Sequence, residues 1–200
     1  MRWNPIEQVQ DVANKFGTEE RIKRFQSGEL ILVERTDPRA TAMVINFERK
    51  VSVAGRRLIV KESFTKSNTK VRFGYIDERI GKLFGKQEDV PAGELAVNTL
   101  LLPKHSPEIM VALGPQSRRF IKLGHLYQLI EEQGQGQEGP LLVNGYANIA
   151  YILDENGAPW AVRAYWDPRY GVWGVHVRSV AFLVEWCAGG LVLSQVSSGN

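Results

Sequence analysis

The sequence predicts an α+β protein, predominantly antiparallel β, with an N-terminal helical hairpin, a hairpin-rich sheet, one internal helix at about 117–132 and a C-terminal β-meander. Three observations carry this. Residues 4–25 have helical caps and period, residues 30–76 break into short strand-like runs, and residues 146–179 alternate large apolar with other residues around two turn signals.

In the first region Asn4 caps a helix that Pro5 and Glu7 favour in its first turn, and Ile6, Val9, Val12, Ala13 and Phe16 share one face. Gly17 ends it, and Thr18 caps a second short helix carrying Ile22 and Phe25. Strand-like runs follow at 30–33, 40–47, 51–53, 58–64 and 71–76, punctuated by Asp37-Pro38, Ala54-Gly55 and Ser67-Asn68. The segments between them are too short to carry a helix back across a sheet, so consecutive antiparallel hairpins are expected.

A short helix is expected at 77–84, strands at 96–102 and 109–113, and then the internal helix, on which Phe120, Leu123, Tyr127 and Ile130 recur at helical spacing. The Gln- and Gly-rich stretch 133–140 reads as a flexible loop or linker. It divides residues 1–133, with the helical hairpin, antiparallel sheet and internal helix, from 141–200, with the meander, the two packing as one globular unit.

The meander is legible almost to register. A two-residue turn centred on Asn156-Gly157 pairs Leu153 with Trp160, Tyr151 with Val162, Ile149 with Ala164 and Ala147 with Trp166. A second loop at 168–171 keeps His176 and Arg178 off the apolar face, because burying them without partners costs about several kcal/mol. It sets Arg163 opposite His176, Tyr165 opposite Gly174 and Arg178 opposite Ala161. The Trp160, Trp166 and Trp173 face is core; the other collects Asn148, Arg163, Tyr165, His176 and Arg178, a shallow surface for an anion or nucleotide. Beyond it Phe182, Val184 and Trp186 alternate again, and Gly189-Gly190 suits a further hairpin turn before 191–196.

The charge pattern offers a second candidate. Arg49, Lys50, Arg56, Arg57, Lys61, Lys66, Lys70 and Arg72 fall in one stretch with Glu62 as its only acid, whereas the whole chain carries a net charge of only +3. A basic hairpin region of this kind tracks phosphates. Phe73-Gly74-Tyr75-Ile76 beside it is similar to the aromatic strand of RNA-recognition motifs, but Arg72 stands where that motif has glycine and no helix-sized segment precedes it. Phe73 and Tyr75 are expected on one strand face.

Composition, at 44% hydrophobic and 24% charged over 200 residues, suits a soluble globular chain with its own core. The single cysteine, Cys187, excludes an intramolecular disulfide and a Cys-rich zinc site, which favours a reducing, cytoplasmic setting; it is expected to pack at the edge or in the interior of the sheet. No apolar run approaches the roughly 18 residues that a membrane helix needs. His105, His125 and His176 are too scattered for a metal site, His125 being expected at a helix rim. Gly114-Pro115-Gln116-Ser117 lacks the spacing of a phosphate loop, Glu131-Glu132 reads as a solvated helix end, and no catalytic residue or cofactor is indicated.

The expected function is therefore non-enzymatic binding of nucleic acid or another polyanion through the basic hairpin region. Two alternatives stand beside it. One is a small-molecule binder or enzyme with a pocket between the meander and the internal helix; the other is an interaction module that buries the apolar meander face against a partner protein.

Overall fold

A computed structural model describes residues 44–85, 87–181 and 184–196, all within the second of two units, Arg35–Asn200. The helical hairpin and the run 30–33 lie outside the described residues. Among these the strands are β1 (Ile45–Val53), β2 (Arg56–Ile59), β3 (Phe73–Ile76), β4 (Gln87–Val90), β5 (Gly93–Leu100), β6 (Lys104–His105), β7 (Asn148–Leu153), β8 (Pro159–Asp167), β9 (Val172–Ser179), β10 (Glu185–Trp186) and β11 (Leu191–Gln195). The helices are α1 (Val60–Ser63), α2 (Ile80–Leu83), α3 (Ser106–Ala112), α4 (Gln116–Arg119) and α5 (Leu123–Glu132). The class is α+β, built on a mixed seven-stranded sheet in the order β1-β5-β11-β7-β8-β9-β3.

Among the described residues the expected consecutive hairpins do not form. β1 runs unbroken through 49–50 and pairs with β5, β2 pairs with β4, β3 lies parallel to β9, and β11 lies parallel to β7. The run 58–64 yields only the end of β2 before turning into α1, and 109–113 is helical, in α3. There Glu108 accepts a hydrogen bond from the His105 backbone N–H (3.0 Å), a helix-start signal that the apolar run 109–113 masked. The internal helix is two pieces, because Phe120 is extended and the Ile121 N–H bonds to the Tyr151 carbonyl beside β7. β10 pairs with β6 rather than with β11, so Gly189-Gly190 turns the chain without making the expected hairpin.

Within the meander, β8 and β9 have the register read from the sequence, with Arg163 opposite His176, Tyr165 opposite Gly174 and Ala161 opposite Arg178. β7 is one residue out: Ile152 pairs with Trp160, Ala150 with Val162 and Asn148 with Ala164. The turn is the cause. The Asp154 N–H bonds to the Ala158 carbonyl, the Asp154 carboxylate accepts from Asn156 and Ala158 N–H, and Gly157 alone has positive φ (+80°). That is a three-residue loop with a glycine bulge, whereas a two-residue turn needs positive φ at Asn156 as well.

The shift flips every β7 side chain. Ala150 and Ile152 join Val162, Ala164, Trp166, Trp173, Val175 and Val177 in the main core, closed by Leu123, Leu126, Leu129 and Ile130 of α5. This apolar meander face is filled by the chain itself, so it is not a free surface for a partner protein. Asn148 is buried there too, accepting from the Leu142 N–H (2.8 Å) and donating to the Leu142 and Ala164 carbonyls. The stretch 133–140, read as flexible, is anchored: the Gln133 amide bonds with Leu141 N–H and carbonyl, and the Gln133 carbonyl accepts from the Trp173 indole (2.8 Å).

The opposite face of the sheet is divided. Ile149, Tyr151 and Ala161 are fully buried, with Ser106 of α3 beside the Tyr151 phenol and bonded to the Trp186 indole of β10. Further along β8 and β9 this cover ends, and Arg163, Tyr165, His176 and Arg178 are only partly buried.

Candidate functional site: an uncovered aromatic and cationic sheet face

Alternation alone places Arg163 and Tyr165 of β8 and His176 and Arg178 of β9 on the uncovered half-face. Edge strand β3 adds Tyr75. A bulge between Phe73 and Tyr75 sets Phe73 opposite Trp173 and Tyr75 opposite Gly174, so Phe73 enters the core while Tyr75, 45% exposed, turns outward. The expectation that both share a face fails for that reason.

The side chains form one column. The His176 ring stacks on Tyr75 (centroids 4.3 Å apart, 20° between planes) and on Tyr165 (5.6 Å, 21°). The Arg163 guanidinium lies over the Tyr165 ring, 4.5 Å from its centroid. Gly174 makes this possible, because a Cβ there would come within 2.4 Å of the Tyr165 ring. Asn148, expected here from sequence, is absent from the face, having been carried to the core by the β7 register.

The electrostatics are lopsided. Among the described residues neither Arg163 nor Arg178 is in an ion pair, and the buried Nε of Arg163 has no hydrogen-bond partner. Burial lowers the Arg163 pKa, and burial followed by the nearby Arg163 charge lowers that of His176. The acid by the column, Asp77, is already engaged. It accepts from Arg79 Nη2 (2.7 Å), Arg79 Nε (2.9 Å) and the Val177 N–H (3.2 Å), and these bonds, that of the Arg79 side chain foremost, hold its carboxyl far below the usual carboxylate range. Arg79 also bonds to the Val177 carbonyl.

A pH consequence follows. Because the folded state lowers the His176 pKa, the unfolded chain holds that proton more tightly, and His176 removes stability as pH falls below about 6.5. Proton NMR is expected to show His176 titrating below that value and Arg163→Ala raising its pKa; a His176 titration unchanged in R163A contradicts the coupling.

The basic set is dispersed, and four of its eight members, Lys50, Arg56, Arg57 and Lys70, are in ion pairs. Arg56, Arg57, Lys61 and Lys70 line an open groove of about 600 Å³ with Tyr127, but Glu131 lines it as well. Glu131 is no solvated helix end: burial pushes its carboxyl up, yet bonds from Arg56 (2.7 Å) and Lys70 (3.2 Å) outweigh this and hold it low. Arg57 faces Asp89 (3.7 Å) and Lys50 pairs with Glu94 (3.2 Å). Arg49, on the opposite sheet edge, donates to the Pro140 carbonyl (3.0 Å), and Arg72, at the head of β3, lies beside Gly171. Lys61 and Lys66 are exposed without an ion pair among the described residues.

Other expectations change in detail. A cleft of about 490 Å³ does lie where the end of β7 meets α4; Gln116, Ser117, Lys122 and Gln195 are its polar lining, and none of the three histidines reaches it. His125 is buried rather than at a rim, its Nδ1 accepting from the Lys122 N–H at the head of α5 and its Nε2 bonded to the Pro91 carbonyl (3.0 Å). Cys187, expected at the edge or in the interior of the sheet, directly follows β10 and is exposed. Among the described residues no cluster of His, Cys, Asp and Glu is placed to hold a metal ion, and no helix is long and apolar enough to cross a membrane.

Tyr75, singled out in sequence with Phe73, was not placed on this face; the local signal was Gly74 between them, since a glycine inside a strand marks a bulge. Comparison with protein-family models, with curated proteins and with solved structures found no match.

Proposed function

We propose that the protein is a non-enzymatic binder of single-stranded nucleic acid, with the uncovered sheet face as its main contact and the groove of Arg56, Arg57, Lys61 and Lys70 as a weaker electrostatic flank. The observation that carries this reading is the column Arg163–Tyr165–His176–Tyr75 beside Arg178, on a half-face where the arginines are bonded to no carboxylate among the described residues. Tyr165 and His176 are already faced within the column, so Tyr75, 45% exposed at its end, is the ring on which a base can stack, while guanidiniums fork onto phosphate oxygens. Unstacked bases are needed for this, which favours single strands over duplex. The ranking of the two basic surfaces inverts that expected from sequence, because in the groove Glu131 and Asp89 already occupy three of the four cations.

Fluorescence anisotropy with labelled oligonucleotides at two salt concentrations tests it. Single strands are expected to bind more tightly than duplex, and the double variant Arg163→Ala/Arg178→Ala to reduce the slope of log affinity against log salt by roughly 1 to 2. A double variant of the groove, Arg57→Ala/Lys61→Ala, is expected to have the smaller effect. Equal or larger loss in the groove variant overturns the assignment, and absence of binding at low salt overturns the function.

A further inference from the structure

Resting on the reading of the outer face as an anion surface, we propose that the pocket at its border takes one phosphomonoester, supplied by the end of a nucleic-acid strand or by a free mononucleotide. The pocket, of about 540 Å³, is lined by Arg163 and Arg178, by Tyr146 and its neighbours 144–147, and by the β10 segment with Glu185, Trp186 and Cys187. It therefore lies where the covered half of the sheet face meets the uncovered half.

Three features select the ligand. Arg163 and Arg178 stand on adjacent strands one step apart along the ladder, since Arg163 faces His176 and Arg178 faces Ala161. Two guanidinium forks so placed match a group with three free oxygens and nearly two negative charges, which a terminal phosphate has and an internal phosphodiester lacks. Second, the Arg163 guanidinium is held in place over the Tyr165 ring and has no carboxylate partner among the described residues, so it is oriented and its charge is unmatched. Third, the 144–147 loop and the β10 segment line the pocket beside the two arginines. A strand lying along the Tyr75–His176–Tyr165 column meets these walls at the Arg163 end, which suits a terminus better than a continuing chain. Glu185 is the opposing element: exposed, on the lining, and in no ion pair among the described residues.

The test uses the full chain and compares one oligonucleotide with 5′-phosphate, 3′-phosphate or hydroxyl ends, alongside adenosine monophosphate, by anisotropy and calorimetry. One phosphorylated end is expected to bind about tenfold tighter than the hydroxyl-ended strand, the worth of one charge-assisted hydrogen bond. Arg178→Ala is expected to abolish that preference and Arg178→Lys to keep part of it, with an unchanged melting temperature showing that each variant is folded. Glu185→Gln is expected to strengthen phosphate binding, because the repelling carboxylate is gone. Binding of the mononucleotide with no end preference assigns the source as the free nucleotide. Hydroxyl-ended strands that bind as well as phosphorylated ones, with no mononucleotide binding, overturn the pocket and leave the surface reading intact. No binding of any ligand overturns both.

Discussion

Replacing Trp173 by alanine is expected to lower the free energy of unfolding by about 3–5 kcal/mol, the range for deleting a buried large aromatic side chain. The residue is fully buried and meets Trp166 edge to face at 5.8 Å. Its indole N–H also donates to the Gln133 carbonyl at 2.8 Å, which ties the loop after α5 to the middle of β9. Alanine thus leaves a cavity and removes one of two donors from the Gln133 carbonyl, which keeps the Gly136 N–H (2.8 Å), so the cavity is the larger cost. Trp173→Phe keeps most of the ring volume and loses the hydrogen bond, so it is expected to cost less than half as much. Chemical denaturation checks both, and equal losses in the two variants contradict a packing role for the indole.

Asp77→Asn is expected to cost about 2 kcal/mol at neutral pH, the range for hydrogen bonds to a charged group, since Arg79, nearly half exposed, stays solvated when the carboxylate is gone. Asp77 extends the parallel pairing of edge strand β3 past its end: its N–H bonds to the Val175 carbonyl, and its carboxylate accepts from the Val177 N–H and from Arg79. The sign of the pH effect is fixed by the lowered folded pKa. The contribution is fully present above the ordinary aspartate value near 4 and is lost as pH falls through and below it, because the unfolded chain then binds the proton more strongly. Wild-type protein is therefore expected to lose melting temperature more steeply than D77N between about pH 5 and pH 2. Parallel curves contradict this. Since β3 also carries Tyr75, the same variant is expected to weaken nucleic-acid binding without touching an arginine of the face.

What the sequence made legible divides along a physical line. The β8–β9 register was readable because two constraints agreed: the loop at 168–171 has few lengths that close, and only one of them keeps His176 and Arg178 out of the core. β7 was misread because its runs are apolar at both parities. Ala150 and Ile152 fit the core as well as Ile149 and Tyr151 do, and both faces of that central strand are in fact buried. Pattern then gives no register, and the decision falls to Asp154, whose carboxylate organises a three-residue loop where Asn156-Gly157 suggested a shorter one.

Pairing between distant segments was the larger gap. β3 beside β9 and β11 beside β5 join residues about a hundred places apart, and β11 beside β7 residues about forty apart, and no turn chemistry records such neighbours. The candidate site inherits both lessons. Its β8 and β9 members, Arg163, Tyr165, His176 and Arg178, followed from a hairpin and were foreseen. Tyr75 came from a distant parallel strand and was not, and Asn148 was assigned to the face by the one-residue error. The basic stretch shows the converse: clustering along the chain scattered in space, with Arg49 and Arg72 away from the groove and Glu131 brought into it from α5.

The most direct measurement is an amide, arginine side-chain and histidine NMR titration of the labelled protein with a short single-stranded oligonucleotide. The account predicts that shift changes concentrate on Tyr75, Arg163, Tyr165, His176 and Arg178, with the His176 pKa rising as phosphate approaches. Changes centred on Lys61, Lys66 and Lys70 with the sheet face silent, or no changes at low salt, would contradict it.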